Sequence, residues 1–179
     1  MSGCTGYFNA DRSSMGRFLP ERYARVLEIG CAAGSFAKTL RQQPCELWGV
    51  EPNPEAARQA ATMFDHLLQG TYEDTRDRLP DRYFDLVVCN DVIEHMPDHD
   101  AFLRHIRTKM TPGAFLVGSV PNVRHITCLY KLLVLRDWPY SNSGILDRTH
   151  LRFFTRKSLH RALTQIAVAL HQLLEAFRH

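Results

Sequence analysis

The chain reads as an α/β fold built on a doubly wound parallel sheet, and three observations predict it. Near-continuous apolar runs recur at residues 25–29, 83–90 and 114–120, as strands buried on both faces require. Segments with helical spacing alternate with these runs, which calls for parallel pairing through right-handed crossovers, with helices on both faces of the sheet. The turn after the first run, Gly30-Cys31-Ala32-Ala33-Gly34, holds only small residues and leads into a helical segment. Its glycines tolerate unusual dihedrals and leave no side chain between the backbone and a bound molecule.

Residues 1–20 form a mixed lead-in with Tyr7 and Phe8, and an amphipathic stretch over 12–19 predicts a short helix across the entrance to the crevice. The first strand, RVLEI, ends beside Glu28. Residues 35–43 follow as a helix stopped by Pro44, and 46–50 as a second strand closing on Glu51-Pro52, so an acid ends each of the first two strands. Residues 55–64 are alanine-rich and helical, 66–69 form a short third strand, and 71–80 are a polar loop or a single helical turn. A fourth strand over 83–90, a loop over 91–97, a helix over 100–110, the Pro112-Gly113 turn and a fifth strand over 114–120 complete the alternation. Ligands of such sheets sit outside the carboxyl ends of the strands. Beyond Val120 the pattern changes. Residues 125–138 are strongly apolar and read as a lid packed on the sheet, with an interfacial helix facing lipid or a greasy substrate as the other reading. Residues 139–149 are rich in turn formers, and a long helix runs from Thr155 nearly to His179, with Leu159, Leu163, Ile166, Leu170, Leu173 and Phe177 at helical spacing.

Composition narrows the function. With 45% hydrophobic and 23% charged residues, 179 residues suit one globular domain, here 1–179 with 121–154 as a substrate-capping insertion. A net charge of +3, with Lys and Arg scattered among acids, does not suggest DNA or RNA. Five cysteines without a C-x-x-C pair argue against a disulfide framework and a cysteine zinc site, and fit reduced thiols in a cytoplasm. No secretory pattern or membrane-length apolar run suggests export or insertion.

A dinucleotide site needs G-x-G-x-x-G, but Ala32 stands at the second glycine and Ser35 at the third, so close approach of a pyrophosphate is not provided for. The E-x-G-x-x-x-G turn, with Glu51 ending the next strand, resembles the S-adenosylmethionine site of class I methyltransferases. The segments ELWGVEPNPEAA, FDLVVCNDVIEH, MTPGAFLVGSVPN and DRTHLRFFTRKSL extend the likeness over about residues 7–159, to a branch acting on ubiquinone precursors, sugars and other small metabolites. The resemblance implies a Rossmann-like methyltransferase fold, here lacking its last two strands and ending in the long helix. The open edge of strand five then motivates a homo-oligomer.

The resemblance also implies the cofactor residues. Glu28, Gly30, Cys31 and Gly34 lie against the amino acid end of S-adenosylmethionine, Glu51 and Pro52 against the ribose, and Thr71, Tyr72, Glu73 and Asn90 near the adenine. A carboxylate suits a vicinal diol because it accepts two charge-assisted hydrogen bonds. The family's usual Gly-Asp after the third strand is Gly70-Thr71 here, and its usual third-position glycine is Ala32. Methyl transfer to a hydroxyl of a small-molecule acceptor, leaving S-adenosylhomocysteine, needs a proton acceptor. His95 and His150 are the candidates, with His125 the weaker third. No metal is expected. The set that would hold one is Asp91, Glu94, His95 and His150, which resembles the divalent site of small-RNA 2′-O-methyltransferases. The alternative to an enzyme is a non-catalytic cofactor-binding or scaffold protein with an incomplete sheet.

Overall fold

The structure, a computed structural model, describes residues 12–166 and 173–178. Six strands, β1 (Arg25–Ile29), β2 (Glu46–Glu51), β3 (His66–Gln69), β4 (Phe84–Asn90), β5 (Met110–Pro121) and β6 (Leu173–Arg178), form one sheet in the order β3-β2-β1-β4-β5-β6, every pair parallel. The crossovers are made by α1 (Ala37–Leu40), α2 (Pro54–Ala60), α3 (Tyr72–Thr75) and α4 (His99–Lys109), with α5 (Ile126–Leu133) and α6 (Arg156–Ile166) between β5 and β6.

The apolar runs are explained by the two faces of the sheet. Leu27, Ile29, Val87 and Leu116 pack on one side with Phe102 and Ile106 of α4 and Leu159 and Leu163 of α6. Val26, Leu47, Leu86, Val88 and Val117 pack on the other with Phe36, Leu40 and Ala60. Successive side chains point to opposite faces, so only a strand covered on both sides needs apolar residues at every position. Helix starts follow the capping residues. Asn53 accepts the amides of Glu55 and Ala56 ahead of Pro54, and Asp98 accepts that of Ala101. The Pro112-Gly113 turn lies in a register irregularity of β5, which pairs Met110 with Phe84 and then Phe115 with Leu86.

Two expectations are corrected. The helix from Thr155 does not run to the end of the chain. Its described part is Arg156–Ile166, and Leu173–Arg178 pair in parallel with Leu116–Pro121 as β6. One strand beyond β5 is therefore present, where none was expected. β5 is no open edge, so the argument for a homo-oligomer drawn from that edge falls away. The first crossover helix is also shorter than residues 35–43, because the Gly30–Gly34 turn extends through Phe36 before the helix begins. Tyr7 and Phe8 of the lead-in lie outside the described residues, and the stretch over 12–19 forms a short 3-10 helix, Ser13–Phe18. Among those residues, no helix is long and apolar enough to cross a membrane.

Candidate active site

The chain leaves β1 toward β2 on one side and enters β4 on the other, so the order reverses between β1 and β4 and a crevice opens at their carboxyl ends. Parallel pairing brings Glu28, Glu51 and Asn90 to this one edge, each at or next to the end of its strand. All three are buried.

The turn above β1 is tightly held. The amides of Gly30 and Cys31 both donate to the Val50 carbonyl, and that of Gly34 donates to Cys31. Gly30 has φ +68°, and a Cβ there would sit 2.6 Å from Val92 Cγ2, so the position needs glycine for both conformation and space. Ala32 is also left-handed, with φ +49°, although it carries a Cβ. Its amide donates to Glu51 Oε2 at 2.8 Å, while Glu51 Oε1 accepts the Asn53 amide at 2.8 Å. Each Glu51 oxygen keeps a further lone pair for a ligand hydroxyl. Burial raises the Glu51 carboxyl above its ordinary value against these two bonds. Cys31 is buried beside the same acids, and desolvation together with Glu28 and Glu51 pushes its thiol far up, so it acts as an uncharged packing group.

Glu28 carries the strongest signal for a ligand. Burial pushes its carboxyl up to about 8, with Arg12 pulling it down and Glu51 pushing it further up. Its Oε2 is buried without a hydrogen bond among the described residues, as are both amide atoms of Asn90. Buried polar atoms left in this state are costly and call for a partner. An acceptor on β1 and a donor–acceptor amide on β4, flanking a glycine turn, fit the amine and polar edges of S-adenosylmethionine.

The residues expected near the adenine divide. Thr71 caps α3, its hydroxyl donating to Asp74 Oδ2 and accepting the Asp74 amide, and Glu73 lies exposed on the same turn. Tyr72 is not brought to the crevice. Its ring packs edge-on to Phe102 in the core and its hydroxyl meets His105 Nδ1 at 2.7 Å, so its side chain is committed to α4. Pro52 is exposed beside Glu51 and leads into the Asn53 cap.

Arg12 was not singled out as a site residue. Its guanidinium makes two bonds to Asp91 Oδ2, at 2.8 and 3.2 Å, while Asp91 Oδ1 accepts the Ser119 hydroxyl at 2.8 Å. Asp91, itself left-handed at φ +53°, ties the lead-in to the ends of β4 and β5. Of the four residues that would hold a metal, Asp91 is engaged in this pairing and is not in the group whose ligand atoms converge. The remaining three members do converge: ligand atoms of Glu94, His95 and His150 all lie within 4.8 Å of one another. The cause is local backbone pairing, since the Glu94 carbonyl accepts the amides of Leu151 and Arg152, while Asp147 holds the loop by accepting the Thr149 amide and hydroxyl. Burial alone would raise the Asp147 carboxyl, but the Thr149 bonds, with help from His150 and His95, bring it below its ordinary value.

The two imidazoles meet edge-on, with centroids 4.7 Å apart. His95 Nδ1 lies 3.2 Å from the Thr149 carbonyl and His150 Nδ1 lies 3.0 Å from the Ile145 carbonyl. A carbonyl only accepts, so each Nδ1 carries a proton and donates it there. Burial, reinforced by His150, holds His95 below its ordinary value, so it is a neutral base at pH 7. His125 stands apart: it caps α5, its Nδ1 contacting Thr127 at 2.8 Å.

Residues 9–172 match the family model described as a methyltransferase domain, and the chain belongs to that family. A ubiquinone biosynthesis O-methyltransferase of Azorhizobium caulinodans is 30% identical over 110 residues, covering 58% of this chain and 42% of the relative. One of Aeromonas salmonicida is 30% identical over 106 residues, covering 55% and 43%. The chain thus spans less than half the length of these relatives. Among solved structures, a SAM dependent methyltransferase from Archaeoglobus fulgidus superposes with TM-score 0.69 at 22% identity, covering 90% of this chain and 71% of that one. These likenesses establish the class I methyltransferase fold.

Proposed function

We propose that this chain transfers a methyl group from S-adenosylmethionine to an oxygen of a small metabolite. The observation that carries the reading is the pair of imidazoles in edge-on contact, each with Nδ1 held by a backbone carbonyl, on the same sheet edge as a glycine turn with a buried carboxyl short of a partner. S-adenosylmethionine supplies a methyl on a sulfonium sulfur, already activated for in-line displacement. The protein's part is alignment, exclusion of water and removal of one proton. Glu28 accepts the cofactor's ammonium, Arg12 faces its carboxylate, Glu51 takes the ribose diol, and Asn90 with the backbone at Gly70–Thr71 borders the adenine. With S-adenosylmethionine bound, methyl transfer would release the acceptor hydroxyl's proton, and His150 or His95 would take it. The relatives' role in ubiquinone biosynthesis supports a hydroxylated small molecule as acceptor.

A second reading is favoured by the convergence of Glu94, His95 and His150. One carboxylate and two imidazoles suit a divalent ion that would polarise the acceptor oxygen. The scaffold alternative rested on missing strands, and β6 removes part of that support. The test is methyl-labelled cofactor incubated with fractionated cell extract, with and without chelator. Label in a small-molecule fraction supports the reading, and loss of transfer on chelation selects the metal-assisted form. Cofactor binding without transfer to any fraction would overturn both.

A further inference from the structure

We infer that the cations of residues 148–157 form a subsite for a phosphate group carried by the methyl acceptor, which rests on the transfer reading above and names the acceptor's chemistry. Residues 148–166 contain Arg148, Arg152, Arg156, Lys157 and Arg161 and no Asp or Glu. The rest of the chain has 17 Lys and Arg against 19 Asp and Glu, so the whole excess of positive charge is gathered in this one stretch. All five side chains are exposed, and none takes part in an ion pair among the described residues. The acids of the adjoining elements have other partners. Asp147 accepts the Thr149 amide and hydroxyl, Asp98 accepts the Ala101 amide, and Asp100 faces His99.

The backbone pins this stretch across the crevice edge. The amides of Leu151 and Arg152 donate to the Glu94 carbonyl, and Arg152 Nη2 donates to the Pro97 carbonyl at 3.0 Å, which fixes the stretch to the loop after β4. The Val123 amide donates to the Phe154 carbonyl at 3.0 Å, and Asn122 forms an isolated parallel bridge with Phe154, which fixes it to the segment after β5. Arg148 and Arg152 therefore flank His150, whose ring meets that of His95. Arg152 Nη1 also donates to the Leu151 carbonyl at 2.8 Å, so two carbonyls orient this guanidinium while three of its five N–H groups stay available to an anion.

Charge and geometry together choose the occupant. A planar guanidinium matches two phosphate oxygens at once, and an ammonium adds a point charge. Arg156 and Lys157 stand in the first turn of α6, where cations oppose the helix dipole and no acid offsets them, so an anion on the row relieves a cost the bare protein carries. Four cations over ten residues suit one phosphate ester of a small molecule, whereas a nucleic acid backbone calls for a longer track. An acceptor held by its phosphate on this row has its hydroxyl beside the imidazole pair.

The test is calorimetric titration of inorganic pyrophosphate into the chain at low and high sodium chloride. The expected result is saturable binding at one site that weakens with salt. It should be about tenfold or more weaker in R148Q/R152Q and in R156Q/K157Q, and unchanged in R58Q/R78Q, which removes two exposed arginines elsewhere. An unchanged thermal melt confirms that the variants fold. No saturable binding, or binding that both double variants of the row retain, overturns the inference. In a second arm, the product labelled from methyl-labelled cofactor in cell extract should be retained on anion exchange and lose that retention after phosphatase and phosphodiesterase. A labelled product that is neutral throughout, or label in the lipid or RNA fraction, also overturns it. The titration needs no turnover, so absence of any label refutes the transfer reading while pyrophosphate still decides the subsite.

Discussion

If Glu28 meets the cofactor's ammonium, as proposed, cofactor binding is a proton-release reaction. Its buried carboxyl titrates at about 8, so at pH 7 it is mostly neutral, and ionising it to meet an ammonium costs about 1.4 kcal/mol for each pH unit below that value. A ligand α-amino group stays protonated up to about pH 7.7, so below that only the protein titrates. Affinity for S-adenosylhomocysteine should rise roughly tenfold per pH unit from 5.5 to 7, about thirtyfold in all. Titration calorimetry at pH 6.5 in two buffers of different ionisation enthalpy should show about one proton released per ligand bound. In E28Q the shape is kept but the slope should vanish. The same shift has a stability consequence of opposite sign. The folded state holds this proton to about 8 while the unfolded chain releases it near 4.5, so the contribution is fully present below 4.5 and is lost as pH rises through 8. A pH-independent affinity over 5.5–7, or an E28Q profile with the wild-type slope, would refute the assignment of Glu28 to the ammonium.

Further outcomes follow from the same geometry. A32G should stabilise the protein by about 1 kcal/mol in urea melts, because φ +49° strains an alanine and suits a glycine. G30A should lose about 1–3 kcal/mol and cofactor binding together, since its Cβ meets Val92 Cγ2 at 2.6 Å. R12A should cost about 1–3 kcal/mol by leaving Asp91 short of a buried charge-assisted partner, and should move the pH dependence of cofactor binding upward as Glu28 loses its nearest cation. H150Q and H95Q should each lower kcat by about 10²–10⁴ with cofactor affinity unchanged. The acid limb of the wild-type kcat/KM profile should lie below pH 6.5, because His95 resists protonation until the pH falls beneath its ordinary value.

The candidate crevice was legible because its parts are local. A buried strand, a small-residue turn and an acid closing the next strand are each written within a few positions, and parallel topology alone then brings Glu28, Glu51 and Asn90 to one edge. What escaped is non-local. Arg12 and Asp91 are 79 positions apart, and nothing in either segment announces the pair. Tyr72 has a polar hydroxyl after a crevice strand, yet its ring is claimed by Phe102 and His105 of α4. The stretch LLEAFR continues the helical spacing of α6, so its pattern reads as helix, and the open ladder of β5 makes it a strand. His95 and His150 stood out as candidate bases by residue type, but their mutual contact depends on Glu94 accepting two amides from the capping loop.

The central claim is that the crevice holds S-adenosylmethionine and not a dinucleotide, and one binding measurement addresses it. S-adenosylhomocysteine and NAD should be titrated separately into the wild-type chain at pH 7.5, with E51A alongside. The account predicts micromolar binding of S-adenosylhomocysteine, its loss in E51A, and no binding of NAD. Binding of NAD in the same range, or S-adenosylhomocysteine binding that E51A leaves unchanged, would contradict it.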